Sequence, residues 1–316
     1  VKSSQIVIVG GGVVGASVAY HLTQRGCRDV LLIEREEMLG LGSTGKATGG
    51  VRAQFETDIN IKLSLYSLDF FRDWDFDCEY EPRGYLFLAT DERQFEYLKR
   101  TGERQRELGY AEVDLLDRAA VADLVPDVNC DDVIGASFGR RDGFINPLAV
   151  LEGFITEASS KGARVKTGTN VRSIDVDRGR VTKLHTSEGT IECERVVICS
   201  GPWAHNLAAT AGIDLPVEPL RRQIVWARSP NALPPDLPMV IDMSDGFHFR
   251  TARDFHAIAG QNDGHDVLFA YPDRDEPVGF STDFDEAFIE KVAEKAAKRA
   301  PFLNGSKIVY EKCRAG

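Results

Sequence analysis

The sequence predicts an α/β protein in which a parallel-stranded, doubly wound domain is interleaved with an α+β domain built on a mostly antiparallel sheet. Three observations carry this. Ile6-Val7-Ile8-Val9 and Val30-Leu31-Leu32-Ile33 are short, continuous apolar runs, as expected of strands buried on both faces. Between them, three glycines and the segment from Val13 to Arg25 read as a turn followed by a helix. Far downstream, from Pro216 to Ala270, the pattern is mostly strands punctuated by Pro and Gly. A length of 316 residues makes two domains the default expectation.

Taken in order, the first helix carries small residues Ala16, Ser17 and Ala19 on its packing side and ends at Gly26, a residue suited to a helix C-cap. Thr57 to Trp74 places Ile61, Leu65, Leu68 and Phe71 at helical spacing, with Thr57 or Asp58 as cap. Tyr85 to Thr90 reads as a strand, and Asp91 caps a charged helix running to about Leu108. Asn146-Pro147 is an N-cap with proline in the first turn, opening a helix that reaches Lys161. Short strands follow at 164–167, 171–177 and 181–186, then a buried strand at 195–199. Asp285 to Arg299 is a last amphipathic helix, ended by Pro301. The strands at 6–9, 30–33 and 195–199 are expected to share one sheet, with the intervening and later strands building the second domain.

Composition narrows the function. At 43% hydrophobic and 28% charged the chain reads as an ordinary soluble globular protein. The net charge of −11 argues against broad nucleic-acid binding, so an anionic ligand would need local cations. Six scattered cysteines without a C-x-x-C pair make a zinc site improbable and predict a reducing, cytoplasmic compartment. No stretch reaches the length of a transmembrane helix, so no integral membrane segment is expected.

Gly10-x-Gly12-x-x-Gly15, with Glu34 closing the second strand, has the form of a Rossmann-type dinucleotide fingerprint. Gly10 permits the tight turn, Gly12 admits a pyrophosphate to the backbone, and Gly15 lets helix and sheet pack closely. The helix N-terminus, at Val13 and Val14, offers N–H groups and a positive dipole end to phosphates, while Glu34 can accept from ribose hydroxyls and its neighbour Arg35 is a further candidate for holding the cofactor. These residues establish a dinucleotide without separating FAD from NAD.

The segment Gly42-Ser43-Thr44-Gly45-Lys46-Ala47-Thr48-Gly49-Gly50 follows directly. Here the sequence resembles the D-amino-acid-oxidase-like family of flavoproteins, which includes sarcosine oxidase, glycine oxidase and the β subunit of dye-linked L-proline dehydrogenase. The resemblance continues through Val51 to Phe55, Arg83 to Leu88, Asp142 to Pro147, and Val196 to Gly201 with Trp203. It implies FAD as the cofactor, bound without a covalent link, since no His occurs in 35–60 and Cys313 falls short of the attachment cysteine used in the family. It implies a GR2-like FAD-binding domain at 1–77 and 143–213, and a substrate domain at 78–142 and 214–316. Ser43, Thr44, Lys46, Thr48, Gly49 and Gly50 would lie along the cofactor, Val171 would hold the adenine by its strand backbone, and Gly201 would turn the second-half strand into its helix.

The resemblance also implies the chemistry: hydride leaves the carbon beside a substrate amine for flavin N5, and the imine hydrolyses. Arg52 and His248 are the candidate active-site residues, the first because a guanidinium suits a carboxylate, the second because it stands where the family places a pocket aromatic. Strand alternation puts His248 and Arg250 on one face and Phe247 and Phe249 on the other. Arg221-Arg222-Gln223 reads as domain-interface structure. The stretch 257–260 lacks the lysine that oxygen-reducing members often carry, which favours a dehydrogenase passing electrons to another acceptor or a partner subunit. The family pattern further leads one to expect several tens of residues beyond Gly316 completing the flavin site. A hydroxy-acid or glycerol-phosphate-type dehydrogenase, and a non-catalytic flavin-binding assembly protein, are the competing expectations.

Overall fold

The computed structural model describes residues 2–253, 263–273 and 281–316. The first strand, β1 (Ser3–Val9), leads into helix α1 (Val13–Gln24) and strand β2 (Val30–Ile33). β1 and β2 pair in parallel, Val7 opposite Leu31, and the strand Gly189–Ile198 pairs in parallel on the other side of β1, Val7 opposite Val196. Val7, Ile8, Leu31 and Leu32 are fully buried, which is why both runs are apolar without alternation. Gly26 has φ 87°, so α1 ends in the left-handed conformation that glycine adopts without a Cβ penalty.

The strands between 164 and 186 join the first sheet, although the strand pattern read alone assigns intervening strands to the second domain. Arg164–Lys166 extends the first sheet in parallel beside β2, and the hairpin Val171–Asp177 with Arg180–Thr186 continues it antiparallel beyond Gly189–Ile198. They join this sheet because main-chain bonds, Glu34 N–H to Lys166 and Thr169 N–H to Glu34, tie the segment to the end of β2.

The second sheet runs in the order 307–308, 223–228, 266–270, 248–251, 239–242, 85–89, 135–139 and 113–117, with 314–315 also pairing on 223–228. Its pairs are antiparallel except Met239–Asp242 against Tyr85–Ala89. Leu86, Leu88, Phe247, Phe249 and Phe269 form its inner layer, closed by Phe288 and Val292 of the Ala287–Arg299 helix. The apolar side of 248–251 is thereby committed to this core, and the alternate residues His248 and Arg250 turn toward the first sheet's side, as the period of a strand requires.

Three helices join the layers. Tyr20 of α1, Phe70 and Trp74 from the end of Asp58–Asp73, and Phe154 of Pro147–Ser160 make one aromatic cluster, with Trp74 and Phe154 stacked at 4.8 Å. Asn146 caps the last helix by accepting from the N–H groups of Leu148 and Ala149. The short pair Gly50–Val51 with Gly143–Phe144 then carries the chain from the first sheet to the second. No helix among the described residues is long and apolar enough to cross a membrane.

Candidate active site

At the top of the first sheet the glycines behave as three different devices. Gly10 has φ 117°, and a Cβ on it would lie 2.3 Å from the carbonyl oxygen of Cys199. A Cβ on Gly15 would lie 2.0 Å from the carbonyl oxygen of Gly10, so this glycine holds α1 against β1. A Cβ on Gly12 would meet only the Thr44 hydroxyl, at 3.0 Å; its open side is the cleft. That hydroxyl accepts from the Val13 N–H at 3.0 Å and so anchors the 43–46 turn over the start of α1.

Glu34 is braced by backbone. One carboxylate oxygen accepts from the Gly11 N–H at 2.6 Å and the other from the Glu36 N–H at 2.9 Å. Each oxygen keeps a second lone pair for a ribose hydroxyl. The cleft beneath holds about 1230 Å³. Gly10, Gly12, Val13, Val14, Glu34 and Arg35 line one side of it, Ser43, Thr44 and Lys46 another, and Val171 and Gly201 close it. Arg35 lies 3.7 Å over the Trp203 ring, giving this end a flat, cationic wall. Ser200 lines the same cleft, and its hydroxyl is buried with no hydrogen-bond partner among the described residues. A glycine-floored helix terminus, a braced acid and an orphan hydroxyl together fit the pyrophosphate and ribose of a dinucleotide.

A second cavity, of about 560 Å³, lies between the two sheets and shares Ser43, Lys46 and Ala47 with the first. The 43–50 segment is the partition. It is strapped to the second sheet by Lys46 Nζ donating to Ala315 O at 3.1 Å, Arg314 Nη1 to Gly45 O at 2.9 Å, and Arg250 Nη2 to Thr48 O. Thr48 and Gly50 line this second cavity, whereas Gly49 lines neither. Gly49 has φ 76°, and a Cβ there would lie 2.1 Å from the Ile145 carbonyl oxygen, so its place is structural.

Arg52 and His248 both line the second cavity. Arg52 donates to the Gln54 carbonyl and lies 4.1 Å over the Phe55 ring, and among the described residues it forms no ion pair with a carboxylate. Burial lowers its pKa, the opposing influences being Tyr85 and Asp142. His248 Nδ1 lies 2.9 Å from the carbonyl of Gly246. A carbonyl can only accept, so Nδ1 carries the proton. Burial pushes the pKa down, with the Arg52 charge acting the same way, which favours the neutral ring with Nε2 as an acceptor.

Beneath Arg52 sits a residue that sequence reasoning missed. Asp142 is completely buried and accepts from the Ala53 N–H at 2.7 Å, the Tyr110 hydroxyl at 2.8 Å and Gln54 Nε2 at 3.0 Å, fixing the 52–54 segment. Burial pushes its pKa up to about 6, although these bonds and the Arg52 charge oppose the rise. A folded-state value above the unfolded one means that this stabilisation is complete below about pH 4 and is lost as pH rises through about 6, with a total on the order of 3 kcal/mol. Urea unfolding of the wild type against Asp142→Asn between pH 4 and pH 7 is expected to show the wild type losing stability relative to the variant across that window. A difference independent of pH would refute this. The pattern Arg141-Asp142-Gly143 carries no periodic signal that could have marked Asp142 as buried.

Two further arginines lie near this cavity. Arg222, read from the sequence as domain-interface structure, lines the cavity between the two sheets with Gln223. Arg250 is buried with its guanidinium 4.1 Å over Phe144, holding the partition rather than facing the cavity. Cys313 is half-buried beside Trp226 and lines neither space. The lysine-free stretch 257–260 lies outside the described residues.

Comparisons with known proteins agree with this arrangement. The family model described as DAO, FAD dependent oxidoreductase, matches residues 5–316. FAD-dependent oxidoreductase domain-containing protein 1 of Xenopus laevis is 30% identical over 352 residues, covering 97% of this chain and 68% of that protein. The mitochondrial dimethylglycine dehydrogenase of Rattus norvegicus is 26% identical over 324 residues, covering 97% of this chain and 37% of that protein. The crystal structure of L-proline dehydrogenase from P. horikoshii matches with a TM-score of 0.86 at 25% identity, over 100% of this chain and 81% of that one. With the match spanning both sheets and the dinucleotide cleft, the chain belongs to the DAO family of FAD-dependent oxidoreductases, and its cofactor is FAD.

Proposed function

We propose that this protein oxidises a small amine or amino acid of the sarcosine, glycine or proline type to its imine, with FAD held without a covalent link. The observation that carries the reading is the pairing of Arg52, without a carboxylate partner among the described residues, with an acceptor nitrogen on His248 in one cavity beside the dinucleotide cleft. The names of two relatives, dimethylglycine dehydrogenase and L-proline dehydrogenase, support this substrate class. FAD, when bound, supplies the hydride acceptor. Arg52 holds the substrate carboxylate through its planar fork. His248 Nε2 accepts from the N–H of the neutral amine, orienting it so that its lone pair can form the C=N bond as hydride departs. Gly12, the first turn of α1, Glu34, Arg35, Ser43, Thr44, Lys46, Val171 and Gly201 hold the dinucleotide. Electrons then pass to an acceptor other than oxygen, a reading that rests on the lysine-free sequence at 257–260.

Anaerobic mixing of the full-length holoenzyme with sarcosine, glycine, proline, a 2-hydroxy acid and glycerol phosphate tests this. Bleaching of the flavin band by an amine is the expected result; bleaching by the alcohols alone would sink it. His248→Asn is expected to lower kcat/KM for the amine about tenfold, the worth of one hydrogen bond to a buried acceptor. Unchanged steady-state kinetics would remove His248 from the site.

A further inference from the structure

The charge of the second cavity goes beyond what a simple amino acid requires. Four cationic side chains line it, Lys46, Arg52, Arg222 and Arg314, and among the described residues no aspartate or glutamate side chain does. The chain as a whole carries a net charge of −11, so this cavity is a local inversion of the global field. The phosphates do not account for it. Arg52, Arg222 and Arg314 line the second cavity and not the dinucleotide cleft; only Lys46 lines both. One substrate carboxylate is satisfied by one guanidinium in bidentate contact. Arg222 and Arg314 stand apart from Arg52 in the chain, on the segments 222–223 and 314–316 that pair with one another, while Arg52 follows the Gly50–Val51 strand. Arg222 is exposed and Arg52 half-buried, so the cations line the cavity at different depths.

We propose that the substrate carries two acid groups: a dicarboxylic amino acid or N-alkyl amino acid, its α-carboxylate on Arg52 and its second carboxylate at the Arg222 end. This rests on the amine-oxidising reading and narrows its substrate class. The second acid is what lets a protein of strong negative charge admit an anion selectively, because the approach to a cationic cavity is favoured twice over for a dianion.

Dead-end ligands test the binding without turnover. Glutarate and butyrate, titrated into the full-length holoenzyme and followed by perturbation of the flavin absorbance, are expected to differ about tenfold or more in Kd in favour of glutarate. Raising salt should narrow that gap. Arg222→Gln should remove most of the preference, and Arg222→Lys should restore part of it. In turnover, N-methylglutamate should exceed N-methylnorvaline in kcat/KM in the same direction. Equal Kd values for glutarate and butyrate, or a preference that survives Arg222→Gln intact, would overturn the inference while leaving amine oxidation standing. A glutarate preference in a protein whose flavin no amine bleaches would retain a diacid cavity and overturn the amine reading instead.

Discussion

Gly12→Val is expected to give a folded protein that purifies without flavin, its affinity for FAD lowered about 1000-fold or more, equivalent to about 4 kcal/mol. The expectation follows from what surrounds each glycine of the fingerprint. A side chain at Gly12 has one close neighbour among the described residues, the Thr44 hydroxyl, and otherwise points into the cleft proposed for the pyrophosphate. The protein can therefore tolerate the substitution and the cofactor cannot. A side chain at Gly15 would probe something else, since its Cβ would collide with the Gly10 carbonyl and disturb the packing of α1 on β1. The measurement is FAD content by absorbance together with thermal unfolding: a colourless protein with a near-native transition agrees, and a yellow one refutes the placement of the pyrophosphate.

Arg52→Met is expected to lower kcat/KM for a carboxylate-bearing amine by about 100- to 1000-fold, with most of the change in KM. In the proposed reaction the carboxylate is not the reacting group, so its contact with the guanidinium would be equally strong in ground and transition states, and uniform binding of this kind appears in KM. Met preserves the stacking volume over Phe55 and removes the charge. Arg52→Lys keeps the charge without the planar fork and should recover only part of the loss. A fall confined to kcat, with KM unmoved, would place Arg52 at the reaction centre and count against the anchoring role.

The site was unevenly legible in the sequence. The dinucleotide end lies within one local unit: a strand, a turn, a helix and a strand ending in Glu34, each with its own periodicity or glycine requirement. Such a unit folds to one geometry for local reasons, so its residues can be read in order. The Gly135–Gly139 strand shows the opposite case. Its sequence, Gly-Ala-Ser-Phe-Gly, has neither the β-branched content nor the alternation of a strand. It becomes one because 85–89 and 113–117 flank it and satisfy its backbone. The helix at 147–160 was legible from its cap, Asn146-Pro147, whereas the burial of Asp142 four residues earlier was not.

By itself the sequence determined the fold class, the dinucleotide turn with its acid at Glu34 and, through its family pattern, the cofactor. It also nominated Arg52 and His248, each from its own short segment. Only the tertiary structure decided that these two face one cavity, that Asp142 fixes the segment bearing Arg52, and that Arg222 lines the same cavity. The physical reason is that the first group depends on backbone conformation and periodicity, which neighbouring residues impose. The second depends on which strands pair across long loops and which polar groups they enclose, and burial of that kind is a property of the assembled sheets.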